Sequence, residues 1–547
     1  MPTPARTRRD TRPRSEGPED HVVNIRFGGG VHSRSSERDI HPRECTTGEN
    51  FLLGLNGSEL KPREHFDLLG KVPNGGQING FVSLRTGAGT VSMLVQAGTV
   101  VYKWDGSNFT EILTGLSANA RLHGGRESTW GLSDVVLVAD TALAEVVKVW
   151  DGTTLADVAF VKEDLSTSIT LYAKYIHVDE ERALFANVKS GSETGHLLVG
   201  SALGDYTIVS VAQRPSSSLG ASDPWYLVAP DNRAINGLTT VFGVIALSTI
   251  NGDFFKLSGN DATDFKLASL FHGSGALGTH SVAWIGNDVM YGRDGRIERL
   301  VDTDRFGDTD ANDASLPINN QLSGYNDWNI RYNQRLQRVY CHPVGQNEVW
   351  VYFKTIADAD QDRVSPWSKY TTTHASQMNP TAMASCFDPS DGLEYVFFGD
   401  DDGNVYRMEG TATGDGDGAQ NMQTVFESGL VEMPIGDAFR LEGHLGYRGG
   451  GDATVTLEFL AAGQSVFNET ITVSISDVSR TYVYGGSRYY GGGDAPAYYG
   501  NTFEGRLTRF PIDVPGQYEA FQVRVTVESV DRVTLTDIGL RLEAVDP

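Results

Sequence analysis

Acidic residues grouped in short turns are the first place where this chain could do chemistry. Asp308, Asp310 and Asp313 stand in FGDTDANDAS, Asp400, Asp401, Asp402 and Asn404 in GDDDGN, and Asp415 and Asp417 in GDGDG. A calcium ion takes about six to eight oxygens, which such turns can offer. None of these turns has the ligand spacing of an EF-hand loop or its closing Glu. Asp with Gly is also the ordinary composition of hairpin turns, and that reading is preferred. Thiol chemistry has one local candidate, the neighbours Cys341 and His342. Adjacent residues on a strand point to opposite faces, so the two cannot act together there. The three cysteines, Cys45, Cys341 and Cys386, are odd in number and far apart. They predict buried free thiols in a reducing compartment, not a disulfide framework or a zinc site.

Other chemistries lack their signatures. The sequence has no GxxxxGK[ST], HExxH or GxSxG. Gly28-Gly29-Gly30 lacks the strand-to-helix context of a phosphate cradle. A glycosidase needs two carboxylates across a sugar cleft. Among 70 acidic residues no such pair can be singled out, and the repeated Ser-x-Asp-x-Gly-x-x-Trp turn of sialidase-type propellers is missing. No catalytic, cofactor-binding or metal residue is assigned, no cofactor is expected, and the chain is expected not to be an enzyme.

The elements that would position any site are short strands. With 62 glycines against 20 prolines in 547 residues, the chain is rich in tight turns. One pattern recurs from about residue 50 to 415: VYKWDG (Val101–Gly106), VKVWDG (Val147–Gly152), FFKLSG (Phe254–Gly259) and VYRMEG (Val405–Gly410). GRIERLVD and GDYTIV are weaker relatives. The closing glycines lie one, two and three steps of roughly 50 residues apart, the period of a four-stranded propeller blade. Residues 49–410 therefore predict an all-β propeller of about seven blades, six to eight being compatible. VSMLVQAGTVVYKWDG reads as two strands turning at Ala97-Gly98, VVLVAD as the partner of EVVKVWDG, and EYVFFGDDDGNVYRMEG as a hairpin turning at Asp402-Gly403. In EVWVYFKT, alternation puts Val349, Val351 and Phe353 on one face and Trp350 and Tyr352 on the other.

Residues 411–423 read as a polar linker. Residues 424–547 read as a separate antiparallel β-sandwich, with ATVTLEFLAAGQSVFNETITVSI as one hairpin and FQVRVTVESVDRVTLTDIGLRLEAV as a further pair of strands. Between them, 482–505 is a Gly/Tyr-rich loop carrying Tyr482, Tyr484, Tyr489, Tyr490, Tyr498 and Tyr499. Such a loop suits a partner contact, or equally a cover for the sandwich's own edge. Residues 1–48 read as an extended arm whose basic cluster, Arg6, Arg8, Arg9, Arg12 and Arg14, could dock on an acidic neighbour or on DNA, or remain a free tail. The formal net charge is −25, which argues against wrapping nucleic acid and suits a soluble, self-repelling subunit or the wall of a non-adhesive channel. No apolar run approaches the roughly 20 residues of a membrane span, and the first residues lack a secretion signal's apolar segment.

ECTTGENFLLGLNGSELKPREHFDLLGKVPNGG (Glu44–Gly76), LVQAGTVVYKWDG and PWSKYTT…EYVFFGDDDGNVYRMEG (Pro366–Gly410), followed by the C-terminal hairpins, are similar to the β-propeller tail nozzle (tail hub, tail tubular) proteins of short-tailed bacteriophages. The resemblance covers residues 44–547 in organisation and includes no active-site motif. It implies a virion structural protein that forms a ring, commonly a homohexamer, below the portal and adaptor. Such a ring extends the DNA ejection channel, which DNA crosses without specific binding, and receives fibre or spike proteins. It further implies assembly in the host cytoplasm and a place in the virion tail. A receptor- or glycan-binding tail propeller and, third, a tail-borne polysaccharide hydrolase are the alternatives.

Overall fold

The recurrent WDG-type turn has a local physical cause. In a computed structural model of the chain, Asp105 Oδ1 accepts the backbone N–H groups of Ser107 and Asn108, and Asp151 Oδ1 those of Thr153 and Thr154. The following Gly106 and Gly152 sit at φ 98° and 91°, where a side chain would be strained. Each such turn ends the third strand of a blade: Val100–Trp104, Lys148–Trp150, Phe254–Ser258 and Asn404–Arg407. GRIERLVD is the third strand of another blade, Arg296–Asp302, whereas GDYTIV holds a fourth strand, Asp205–Val209.

The structure describes the chain from residue 21 to 545 apart from loop stretches, the longest of them 411–421 and 475–505; residues 1–20 also lie outside the described residues. The described residues form seven antiparallel blades: blade 1 (78–114), blade 2 (122–157), blade 3 (172–228), blade 4 (235–271), blade 5 (282–313), blade 6 (328–371) and blade 7 (382–407). Blade 7 supplies three strands. Its fourth is Asp67–Lys71, paired antiparallel with Asn404–Arg407, so the start of the ring is hydrogen-bonded to its end. Separate apolar clusters fill the spaces between consecutive blades from blade 7 round through blade 1 to blade 5. Trp150 lies with Leu84, Leu94 and Val138 between blades 1 and 2, and Trp104 with Phe397 and Tyr395 between blades 7 and 1. Because each blade is covered on both faces, Val349, Trp350, Val351, Tyr352 and Phe353 are all buried, and alternation along this strand does not separate core from solvent.

The C-terminal β-sandwich has two antiparallel sheets. One runs in the order Cys45–Glu49, Met422–Ser428, Ala520–Ser529, Asp452–Ala461, Gln464–Ser474; the other in the order His21–Ile25, Thr534–Val545, Ala438–Arg448, Arg506–Ile512. The expected hairpin is Asp452–Ala461 with Gln464–Ser474. Ala520–Ser529 and Thr534–Val545 do not pair with each other but lie in opposite sheets.

The boundaries expected at 48 and 424 differ from the structure in two ways. From His21 onward the N-terminal stretch is not an extended arm: Ile25, Phe27 and Val31 are buried, and His21–Ile25 is a sandwich strand. Nor is the sandwich separate. Cys45–Glu49 pairs in parallel with the outer strand of blade 6 (Glu49 with Lys369) and antiparallel with Met422–Ser428, so one sheet continues from propeller to sandwich. Apolar side chains of blades 5 to 7, of residues 25–66 and of the sandwich share one core. Gly30 serves this weld. Gly30 N–H donates to Ser365 O at 2.8 Å, and a Cβ on Gly30 would stand 2.1 Å from the Trp367 carbonyl oxygen. The expected linker, 411–423, falls outside the described residues up to 421.

A buried acid sits where blade 7 leaves the ring. Glu409 accepts hydrogen bonds from Arg338 and Tyr340 of blade 6, and Arg338 Nη1 also reaches Glu64 at 3.0 Å. Burial pushes the Glu409 carboxyl up to about 7 against the pull of Arg338, and the Glu64 charge raises it further. The folded state therefore holds a proton here that the unfolded chain releases near its ordinary value of 4.5. This contribution is complete below about pH 4.5 and is lost as pH rises through 7, a change of about 3 kcal/mol. Glu409→Gln is expected to gain stability relative to the parent between pH 5 and pH 8 by that order in urea titrations. A difference between the two that stays constant with pH would refute the assignment.

Candidate functional site

Seven inner strands meet around the propeller axis and leave a cavity of about 520 Å³ between them. Each blade contributes side chains, among them Phe81, His123, Tyr175, Asn236, Trp284, Arg331 and Ser385. Blade 2 is the irregular member. Its inner strand is broken into Leu122–Gly124 and Thr129–Trp130 by a single 3₁₀ turn, Arg126–Ser128. That break brings Arg126 and Glu127 to the cavity, where a continuous strand would present alternate residues only.

The inner part of the cavity is cationic. Arg331 Nε donates to Met383 O and Nη1 to Ile330 O, both at 2.8 Å, which fixes the guanidinium between blades 6 and 7. His123 and His280 meet edge to face, ring centroids 5.5 Å apart. His123 Nε2 lies 2.6 Å from Lys174 O, so that nitrogen carries the proton. Tyr175 donates its hydroxyl proton to Thr279 O at 3.1 Å. Withdrawal from water lowers the Arg331 pKa to about 10 and holds both imidazoles below their ordinary value; Arg331 adds to the effect on each ring. At neutral pH the two histidines are neutral and Arg331 carries the charge.

The outer rim has the opposite sign. Glu127 and Asp179 are exposed there, with Glu394 half-buried. Burial raises the Glu394 pKa, and Arg126 opposes the rise. His177 links the rim to blade 4 through Thr240 Oγ1, 3.1 Å from its Nε2, and stands 3.9 Å from Glu127. The site is a basic floor under a mixed rim with an acidic excess.

No known family profile and no curated protein matches this sequence. Solved structures align with it at low similarity. The computationally designed Ika8 protein aligns at 12% identity over 63% of this chain and 99% of that one, with a TM-score of 0.34. The extracellular domain of BT4673 from B. thetaiotaomicron aligns at 12% identity over 85% of this chain and 59% of that one, TM-score 0.39. BBS1N, solved in complex with ARL6DN, aligns at 9% identity over 65% of this chain and 98% of that one, TM-score 0.41.

The residues singled out from the sequence lie elsewhere. Arg6, Arg8, Arg9, Arg12 and Arg14, and Tyr489, Tyr490, Tyr498 and Tyr499, fall outside the described residues, as do Asp415 and Asp417. Of the acidic turns, Asp400 spends its carboxylate on the N–H groups of Asp402 and Asn404 and on the Asn404 amide, and Asp313 on Ser315 and Asn319. These are turn and cap bonds, and among the described residues no cluster of His, Cys, Asp and Glu could hold a metal ion. All three cysteines are free and buried, and burial raises each thiol pKa, so they stay protonated. His342 shares no reaction centre with Cys341: its Nδ1 is 3.0 Å from Glu348 O, and burial lowers it to about 4. His123, His280 and Arg331 carry no local motif. Only their places at the start of three blades mark them.

Proposed function

We propose that this chain is a structural subunit of a short-tailed bacteriophage virion, a tail nozzle or hub that forms a ring, commonly sixfold, extends the DNA ejection channel and docks other tail components. One observation carries the reading furthest. The stretch that bears the resemblance, Glu44–Gly76, is the one that closes the propeller through Asp67–Lys71 and joins it to the sandwich through Cys45–Glu49. A propeller welded by a continuous sheet to a second β-domain suits a part that transmits load between neighbours. The formal charge of −25 suits a passage along which phosphates slide.

Negative-stain imaging of the purified full chain, alone and with tail extracts, tests this. Closed rings or incorporation into tails are expected. A monomer that binds sugar saturably would replace the reading with the receptor-binding one, and carboxylate-dependent loss of a polysaccharide with the hydrolase one. The basic cluster is tested by truncation, and the fold sets where to cut. Phe27, Val31 and Ile40 are core residues, so the deletion must end before His21. Removing residues 1–20 is expected to leave the melting temperature unchanged and to lower the yield of rings. Assembly at full yield would make the arginines dispensable.

A further inference from the structure

We propose that the axial cavity of the propeller is a binding site for a small organic anion, whose carboxylate or phosphate oxygens are held by Arg331. The donor inventory motivates it. A guanidinium has five N–H donors. In Arg331 one goes from Nε to Met383 O and one from Nη1 to Ile330 O, with His280 O at 3.5 Å from the same Nη1. Nη2 makes no hydrogen bond, and no carboxylate stands within ion-pair distance of Arg331, among the described residues. The group is thus anchored on one edge by backbone carbonyls and presents the other to the cavity, a preorganised half of the fork that binds oxyanions.

Its surroundings fit the same ligand. His280 has no side-chain hydrogen bond among the described residues, and His123 has one nitrogen, Nδ1, left over from its bond to Lys174 O. Both rings can turn a donor toward a bound oxyanion, since an incoming negative charge favours their protonation. Arg331 is half-buried at the cavity wall, and an oxyanion on its free edge would replace water with a charge-assisted hydrogen bond. Tyr175 and Trp284 supply apolar wall for the body of an organic molecule. At about 520 Å³ the cavity has the size of ordinary small-molecule sites. The acidic rim of Glu127, Asp179 and Glu394 disfavours a long polyanion such as a nucleic-acid strand, so the selection is for a small anion.

Thermal melting and titration calorimetry of the full chain test the proposal, with citrate for the carboxylate class, inorganic phosphate for the phosphate class, and sodium chloride at matched ionic strength as control. A saturable rise in melting temperature with citrate or phosphate, and none with chloride, is expected; the probe that binds tells which class the site takes. Arg331→Gln is expected to weaken that binding by about tenfold or more. His280→Gln, which leaves the backbone contact to Arg331 in place, is expected to weaken it by a few-fold. Absence of saturable binding by both probes overturns the proposal. So does binding that both variants retain at full strength. Should Arg331→Gln fail to fold, His280→Gln decides: weakened binding supports the site, and unchanged binding overturns it.

Discussion

Replacing Trp150 with Ala is expected to cost about 3–5 kcal/mol of stability. The indole is fully buried, wedged between blades 1 and 2 against Leu84, Leu94, Val101, Val136 and Val138. Its Nε1–H donates to Ser92 Oγ at 3.1 Å, across the blade interface. Lys103 lies over the ring at 5.8 Å and donates its ammonium proton to Gly152 O at 2.7 Å. Two sheets held at fixed spacing by the rest of the ring cannot close on the space an alanine leaves, so the cavity persists and adds to the lost burial. The substitution also strands the Ser92 hydroxyl. Trp104→Ala, between blades 7 and 1, removes a ring packed on Phe109 at 4.6 Å and is expected to cost a similar amount. Trp104 Nε1 has no hydrogen-bond partner, so no buried acceptor is orphaned there. Trp150→Phe is expected to fall between parent and alanine. Urea midpoints at fixed protein concentration measure all three. A shift worth under about 1 kcal/mol for Trp150→Ala would mean that the blades hold together without this wedge.

The blade repeat was legible because one turn does three jobs. In VYKWDG and VKVWDG, the Trp fills an inter-blade space, the Asp caps the turn and the Gly takes positive φ. Where the third strand ends otherwise, as at Leu197–Ala202 in blade 3 and Glu348–Phe353 in blade 6, the motif vanishes and only the multiple of roughly 50 residues survives. The closing strand was not legible. DLLGK pairs with NVYR across more than three hundred residues, and nothing local marks such a partner. The N-terminal weld had a signal that its basic neighbours obscured, since HVVNIRF carries Ile25 and Phe27, both buried. The cavity could not be read at all. Its floor draws His123, His280 and Arg331 from three blades, and the 3₁₀ turn at Arg126–Ser128 that opens blade 2 toward the axis has no distinctive composition.

Because closure rests on one strand, its weakest point should be the polar cluster that holds that strand in register. Arg407, on the third strand of blade 7, donates from Nη2 to Asp67 Oδ2 at 2.6 Å and from Nη1 to Asp388 Oδ2 at 2.9 Å, and it lies over the Tyr395 ring at 4.5 Å. Asp67 belongs to the closing strand, and both acids are buried. Burial opposes the charge of Arg407, but Asp67 and Asp388 outweigh it and hold its pKa above the ordinary value. Arg407→Ala removes the cation that the buried Asp67 and Asp388 share, and a loss of about 3–5 kcal/mol is expected at pH 7. Asp67→Asn in the same chain should restore part of the stability at pH 7, by removing one of the two negative charges that Arg407 balances in the parent. Arg524, paired with Glu427 at 2.8 Å but 38% exposed, is the control, and its alanine variant is expected to cost under about 1 kcal/mol. Hydrogen exchange at residues 67–71 separates local opening from global loss: in Arg407→Ala these amides should exchange first, because the strand that completes blade 7 can leave before the other six blades unfold. Equal costs for Arg407→Ala and Arg524→Ala, with exchange at 67–71 unchanged, would show that the backbone ladder alone closes the ring.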